Sequence, residues 1–328
     1  MLRFLLKRFL LAVSVLFAVS VIAFGLFFAL PADPVTGMCP KNCNAERLDR
    51  VRTELGLNDP KTEQYANYMK GIFVGRDLGS AQGGQCAAPC LGYSYVNSES
   101  VTDTFARVLP VTLSVVLPAA VLWLALGVGL GMVSALRRGT LLDRISIGFT
   151  LTFASMQLYF VGAVLLLIFV YTLKILPTPR YVSPLEDPLA WAQGMVLPWL
   201  TLALMFSAIY ARLARAQMVE TLNEDFIRTA RAKGAPKRRV YGRHALRAAI
   251  TPIVTVAGLD VGSALGGTVI TETTFGLQGL GRTAVEAVRQ GDLPTIMATV
   301  LLAAVFVVVA NLVVDLLYAF IDPRVRLG

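Results

Sequence analysis

The chain has 328 residues, of which 55% are hydrophobic and 16% charged, with a net charge of +9 and a mean hydropathy of +0.64. Soluble domains hold about 45–50% apolar and about 25% charged residues. These figures argue against a soluble globular enzyme, a disordered chain and a coiled coil.

The apolar residues fall into six long blocks, each near the length of about 20 residues that a membrane-crossing helix needs. In chain order they are Phe9–Leu30, Val108–Leu136, Ile145–Leu173, Pro188–Ala211, Ala248–Thr271 and Leu293–Val314, the last running on past Asp315 to Ile321. Lipid supplies no hydrogen-bond partner to the backbone, so each block is expected to be a helix. The first block follows Arg3, Lys7 and Arg8. Its apolar stretch exceeds the 7–15 residues of a signal peptide and no clean A-x-A-like site follows, so an uncleaved anchor is expected.

Charge sets the expected orientation. With a cytoplasmic N-terminus and six crossings, the inner segments hold 18 Lys/Arg and 5 acids, and the outer segments 12 and 14. Basic inner loops satisfy the positive-inside rule. Both termini are therefore expected in the cytoplasm, and the basic balance reflects topology rather than nucleic-acid binding. The expected architecture is an all-α integral membrane protein. Residues 1–30 form the tip and first helix, 31–107 a large extracytoplasmic loop, and 108–328 a five-helix core with an inner loop at 212–250 between the fourth and fifth helices.

The four cysteines, Cys39, Cys43, Cys86 and Cys90, lie in that outer loop as two C-x3-C pairs. An extracytoplasmic position favours disulfides, with three connectivities open. A four-thiolate metal site is the sharper alternative, but no histidine stands nearby to help, and no metal is expected. His244, the chain's one histidine, lies in a basic inner loop, where a solvated or packed ring is expected. No P-loop, H-E-x-x-H or G-x-S-x-G occurs, so no catalytic residue and no cofactor are assigned to this chain.

Gly127, Gly129 and Gly131 resemble a nucleotide loop only superficially. They lie inside an apolar span, and Gly127 and Gly131 share one face, as close helix packing in lipid requires. Gly258, Gly262 and Gly266 repeat the spacing, so the fifth span should be closely surrounded. Asp260 sits near its centre, where a carboxylate costs about 2.5–3.5 kcal/mol. It is read either as a polar group on a transport path or as a structural group bonded to a neighbouring helix. Asp315 reads as structural.

The inner loop 212–250 holds the most informative stretch. Thr221-Leu222-Asn223-Glu224 has the capping-box form, with Asn223 a competing N-cap. Glu224 and Asp225 suit a first turn. Lys233, Gly234 and Pro236 form a stop signal. A capped helix of about 10 residues is expected at 224–233, with Phe226, Ile227 and Ala230 as an apolar patch. Such a helix can dock into a cleft on a cytoplasmic partner; the alternative is a basic helix on anionic headgroups.

Asp225-Phe226-Ile227-Arg228-Thr229-Ala230-Arg231-Ala232-Lys233-Gly234, followed by Val240, His244-Ala245-Leu246-Arg247 and Pro252, resembles the signature loop of permease subunits of ABC importers, in the dipeptide and oligopeptide branch. Further stretches are similar to that family over nearly the whole chain. They are Leu55 to Pro60, Gln64-Tyr65 and Arg76 to Ser80, then Glu272 to Gly276 with Gly279-Leu280-Gly281-Arg282, and finally Asn311, Asp315, Tyr318 and Asp322-Pro323-Arg324. Ala154-Ser155-Met156-Gln157 stands where the family pattern has a proline.

The resemblance implies a transport subunit rather than an enzyme. A homologous second permease would complete the path, and two cytoplasmic ATPases carrying ATP and Mg would dock on the inner helices. An extracytoplasmic binding protein would deliver peptide, with nickel, haem or another small solute as alternative cargo. The segment from Glu224 to Gly234 would couple ATPase motion to the spans by alternating access. Asp260 and Gln157 are the candidates for the translocation path. An ion-gradient-driven secondary transporter is the reading from a different class.

Overall fold

The computed structural model describes residues 2–29, 59–77, 85–94 and 96–321. Helix α1 (Leu2–Phe24) runs into a π-helical turn, Gly25–Ala29. Next in the chain come α2 (Lys61–Val74) and two short antiparallel ribbons. Strand β1 (Arg76–Asp77) pairs with β2 (Gln85–Cys86), and β3 (Tyr93–Ser94) with β4 (Glu99–Ser100). Helix α3 (Val101–Leu136) starts at Ser100, whose hydroxyl accepts a bond from the Thr102 amide. Helices α4 (Leu141–Ser155) and α5 (Leu158–Leu166) come next. Helix α6 (Pro188–Leu222) is capped by Asp187, which accepts from the Leu189 and Ala190 amides, with Pro188 at its first position.

The loop after α6 contributes α7 (Asp225–Ala232) and the start of α8 (Lys237–Leu265), which contains the π-helical stretch Val240–Ala245. Two short helices, α9 (Val269–Phe275) and α10 (Leu280–Gln290), precede α11 (Leu293–Ile321). Among the described residues, five helices are long and apolar enough to cross a membrane; the α4 pair described next makes a sixth crossing if counted as one span.

Several expected spans differ in detail: the first begins at Leu2 rather than Phe9, and the fourth runs to Leu222 rather than Ala211. The second begins at Val101 rather than Val108, because the Ser100 cap lies eight residues before the apolar block. The third is not straight: α4 and the helix from Leu158 to Thr172 meet at 102°. Met156 and Gln157 are both extended there, which opens the helix between two equally apolar halves. The fifth stops at Leu265 instead of Thr271. Gly266 and Gly267 end it, and Gly267 at φ +141° packs against Gly281, where a Cβ would come 2.7 Å from the Gly281 Cα.

The core is the long crossing of α3 and α6, centred on Trp123, Met195, Leu202 and Tyr210. Small residues make it possible. A Cβ on Gly127 would lie 2.5 Å from the Tyr210 Cβ, and one on Gly131 2.5 Å from the Ala211 carbonyl oxygen. Gly129, on the other face, has nothing within 4 Å. The second glycine row seats α8 on α11: Gly258 against Val314, Gly262 against Ala310 and Gly266 against Ala303. Helix α1 lies along α11, and the Arg8 guanidinium meets the Asp315 carboxylate at 3.1 Å. An ion pair at that depth answers the desolvation of both groups, which gives Asp315 its structural role.

Candidate functional site

The short helix α7 is placed by one residue. Ile227 is completely buried, packed with Ala135 at the end of α3, Met218 on α6, and Val240, Ala245 and Ala249 on α8. Burying such a side chain contributes about 1.5–3 kcal/mol, so α7 is seated on the adjoining ends of three long helices at once. Phe226 points away and is 46% exposed. The expected patch is therefore divided: Ile227 and half-buried Ala230 face the protein, while Phe226 faces outward with Asp225, Arg228, Arg231 and Lys233.

The ends of α7 correct one expectation and agree with another. Thr221 does not cap it. Helix α6 runs through Thr221 to Leu222, and Asn223 closes α6, its side-chain amide donating to the Val219 carbonyl at 3.0 Å. Glu224 takes the N-cap position with no side-chain cap bond, and α7 has 8 residues rather than about 10. The far end follows the sequence. Gly234 at φ +75° donates to the Arg231 carbonyl, and Ala235 to that of Ala230. The left-handed conformation at Gly234 is what its missing Cβ permits.

Just above α7 lies a polar staple that the sequence did not single out. Asp143 is buried, and one of its oxygens accepts from the Ser134 hydroxyl at 2.5 Å and from Arg215 Nε at 3.0 Å. Its other oxygen accepts from the Gly139 amide and from Arg215 at 3.2 Å. The staple joins α3, α4 and α6 at the level where α7 is attached. The available signal was Asp143 as the one acid among Arg137, Arg138 and Arg144.

Of the path candidates, Asp260 is held by the Tyr210 hydroxyl, which donates to its carboxylate at 2.7 Å. Tyr210 is buried and Asp260 half-buried. Gln157 is exposed at the α4–α5 bend. The two do not form a joint site. Between their neighbourhoods is a cavity of about 310 Å3 whose lining includes Leu158, Phe206, Ser263 and Thr268. Ser263 follows Asp260 by one turn, and its hydroxyl donates to the Asp260 carbonyl.

Where α8 breaks, Glu272 on α9 is fully buried. Its carboxylate accepts from the Thr112 hydroxyl at 2.8 Å, from Thr268 at 3.3 Å and from the Arg282 amide at 2.8 Å. Thr112 in turn accepts from the Leu280 amide. A carboxyl oxygen at the start of α10 accepts from an amide that a helix N-terminus leaves open. Gly279 leaves room for it, since a Cβ there would collide with the Glu272 carboxyl.

In the segment between α1 and α3, Cys86 and Cys90 form a disulfide within their own C-x3-C motif; Cys39 and Cys43 lie outside the described residues. Helix α2 packs through Tyr65 and Tyr68 onto Phe24 of α1 and Met297 of α11. Burial pushes the Tyr68 hydroxyl up to about 12, against the opposing pull of Arg76. Ser94 donates to buried Asp292 at 2.6 Å, tying β3 to the start of α11.

The chain matches the family described as binding-protein-dependent transport system inner membrane component over residues 127–327, and that family's N-terminal region over residues 1–116. It belongs to this family. It is therefore a multi-pass inner-membrane transport subunit and not itself an enzyme, working with an ATPase and a substrate-binding protein. Among its relatives, the dipeptide transport system permease protein of Escherichia coli strain K12 is 33% identical over 99% of both chains. The glutathione transport system permease protein of Escherichia coli O6:H1 is 35% identical over 99% of both chains.

Proposed function

We propose that this chain is one permease subunit of an ABC importer that carries short peptides inward across the cytoplasmic membrane. The observation that carries the reading is α7: a short helix fixed through Ile227 to three spans, with Phe226 and a charged surface turned away from the protein. A chain without a P-loop must take its energy from elsewhere, and a helix so seated can pass a push to α3, α6 and α8 together. Glu224 to Gly234 form the docking surface for one of two cytoplasmic ATPases, which hold ATP and Mg. A homologous second permease supplies the other half of the path. Both termini are cytoplasmic, which the Arg8–Asp315 pair supports by joining the first turns of α1 to the last turns of α11. Closure of the ATPases moves α7 and shifts the spans between inward-open and outward-open states.

Peptide cargo is supported by relatives named for dipeptide and glutathione transport. Asp260, oriented by Tyr210, offers a carboxylate to a peptide's ammonium group on the path. The test is uptake by the reconstituted assembly of labelled peptides of two to six residues, alongside nickel and haem. ATP-dependent accumulation of short peptides is expected. Uptake of nickel or haem alone would overturn the peptide reading and leave the importer reading standing. Uptake driven by an ion gradient without ATPase subunits would overturn both.

A further inference from the structure

A second cavity, of about 610 Å3, opens on the outer side and is separate from both α7 and Asp260. Its volume falls within the roughly 300–1,000 Å3 typical of small-molecule sites. Its walls come from three parts of the chain: the β4–α3 junction, the loop before α6, and the α9–α10 corner. Unlike the cavity near Phe206, it is lined by charge of both signs: Glu99, Arg107, Arg180 and Glu286.

Three of these four groups are already paired. Arg107 bonds Glu99, which also accepts from the Thr104 hydroxyl at 2.7 Å. Glu286 accepts from Arg282 Nε at 2.8 Å. Arg180 makes no ion pair among the described residues, so the cavity keeps one unanswered cation. The backbone at Arg180 is nevertheless held firmly. Its carbonyl lies so close to Gly194 of α6 that a Cβ there would collide with it. The next residue, Tyr181, packs on the core around Trp123. An exposed arginine on a firmly held backbone, lining a half-open polar cavity, is suited to a carboxylate, which it can bind through two parallel N–H bonds.

We propose that this cavity is an entry subsite of the outward-facing permease. There Arg180 receives the C-terminal carboxylate of the peptide, and Glu286 lies on the opposite wall for its ammonium group. This rests on the peptide reading above. It adds a selectivity element in the permease itself, ahead of the path and independent of the binding protein. A concave space with opposed charges fits a small zwitterion better than the broad face of a docked protein.

The experiment uses the permease–ATPase assembly in lipid nanodiscs without binding protein. Saturation-transfer NMR is recorded with Ala-Phe and with its C-terminal amide, against empty nanodiscs. Ala-Phe is expected to show transfer that the amide loses at least tenfold. Arg180→Gln should reduce the Ala-Phe signal by a similar factor, and Arg180→Lys should restore most of it. Size-exclusion profiles of the variants establish that the assembly is intact. Equal transfer from acid and amide, or an Arg180→Gln signal equal to the unmodified protein, would overturn the subsite. So would loss of binding-protein docking in Arg180→Gln with Ala-Phe transfer retained, because the arginine would then serve the docked protein. ATP-driven uptake of Ala-Phe by the complete system is measured in parallel. If Ala-Phe is taken up but the NMR results fail, the subsite alone is refuted; if no peptide is taken up, the peptide reading falls and the subsite with it.

Discussion

The glycine run of α3 provides a matched set of substitutions within one helix turn and a half. Alanine is favoured over glycine by about 1 kcal/mol in a helix interior. At Gly129 an added Cβ meets nothing within 4 Å, so Gly129→Ala should be neutral or stabilising by up to about 1 kcal/mol. At Gly131 the same atom would lie 2.5 Å from the Ala211 carbonyl oxygen, 2.7 Å from the Ala214 Cβ and 2.9 Å from the Arg215 amide nitrogen. Two of these three are backbone atoms of α6 and cannot rotate away, so the helices must separate. Overpacking costs about 1–3 kcal/mol, and the rigid neighbours put Gly131→Ala at the upper end. After the propensity gain the net loss is about 2 kcal/mol, or about 3 kcal/mol below Gly129→Ala. Gly127→Ala should fall between them, its main obstacle being the Tyr210 Cβ. The assay is thermal denaturation of the nanodisc-embedded protein, read as the monodisperse fraction surviving each temperature. The predicted order is Gly129→Ala at or above the unmodified protein, then Gly127→Ala, then Gly131→Ala several degrees lower. A Gly131→Ala protein as stable as Gly129→Ala would refute the close α3–α6 crossing.

Other outcomes follow from the same geometry. Gly234→Val places a β-branched residue at φ +75°, a conformation costing about 1–3 kcal/mol for such side chains, with no neighbour within 4 Å to add a clash. It should lower uptake several-fold and leave ATP hydrolysis unresponsive to loaded binding protein, whereas Gly234→Asn should keep both, since asparagine tolerates the left-handed region; normal coupling in Gly234→Val would contradict this. Asp143→Ala and Arg215→Ala should each lower thermal stability, and the double variant should lose less than the sum, because the two side chains bond each other; strict additivity would count against the staple. Glu272→Ala leaves the Arg282 amide and the Thr112 hydroxyl without their buried acceptor, at about 1–3 kcal/mol for each such orphaned group. Faster hydrogen exchange at residues 280–283 should report it, and unchanged exchange would show that the carboxylate does not hold α10.

Hydropathy located every long helix because lipid demands about 20 apolar residues in a row, and that demand is written locally. The glycine faces were legible for a similar reason: a spacing of four keeps residues on one side of a helix wherever it packs. What escaped was interruption inside an apolar block. The bend at Met156 and Gln157 changes two backbone conformations and no polarity. The end of α8 at Gly266 and Gly267 was hidden because the same glycines served equally well as packing residues. The Thr221 capping box matched a motif but lost to α6, whose continuation to Leu222 took that residue into its own last turn. Long-range polar bonds were the least legible. Thr112 and Glu272 lie 160 positions apart, and only the fold brings them together. Of the path candidates, Asp260 gained a partner in Tyr210, while Gln157 did not join it in one site.

Transport by this chain requires that α7 receive force from a separate ATPase. The direct measurement is site-specific cross-linking in the assembled complex, with a cysteine at the exposed Phe226 position and its reactivity followed with and without ATP. Cross-linking to an ATPase subunit, with a yield that changes when ATP binds, is the predicted result. A cysteine there that joins no ATPase and reacts with a water-soluble thiol reagent equally well in the presence and absence of the ATPases would contradict it.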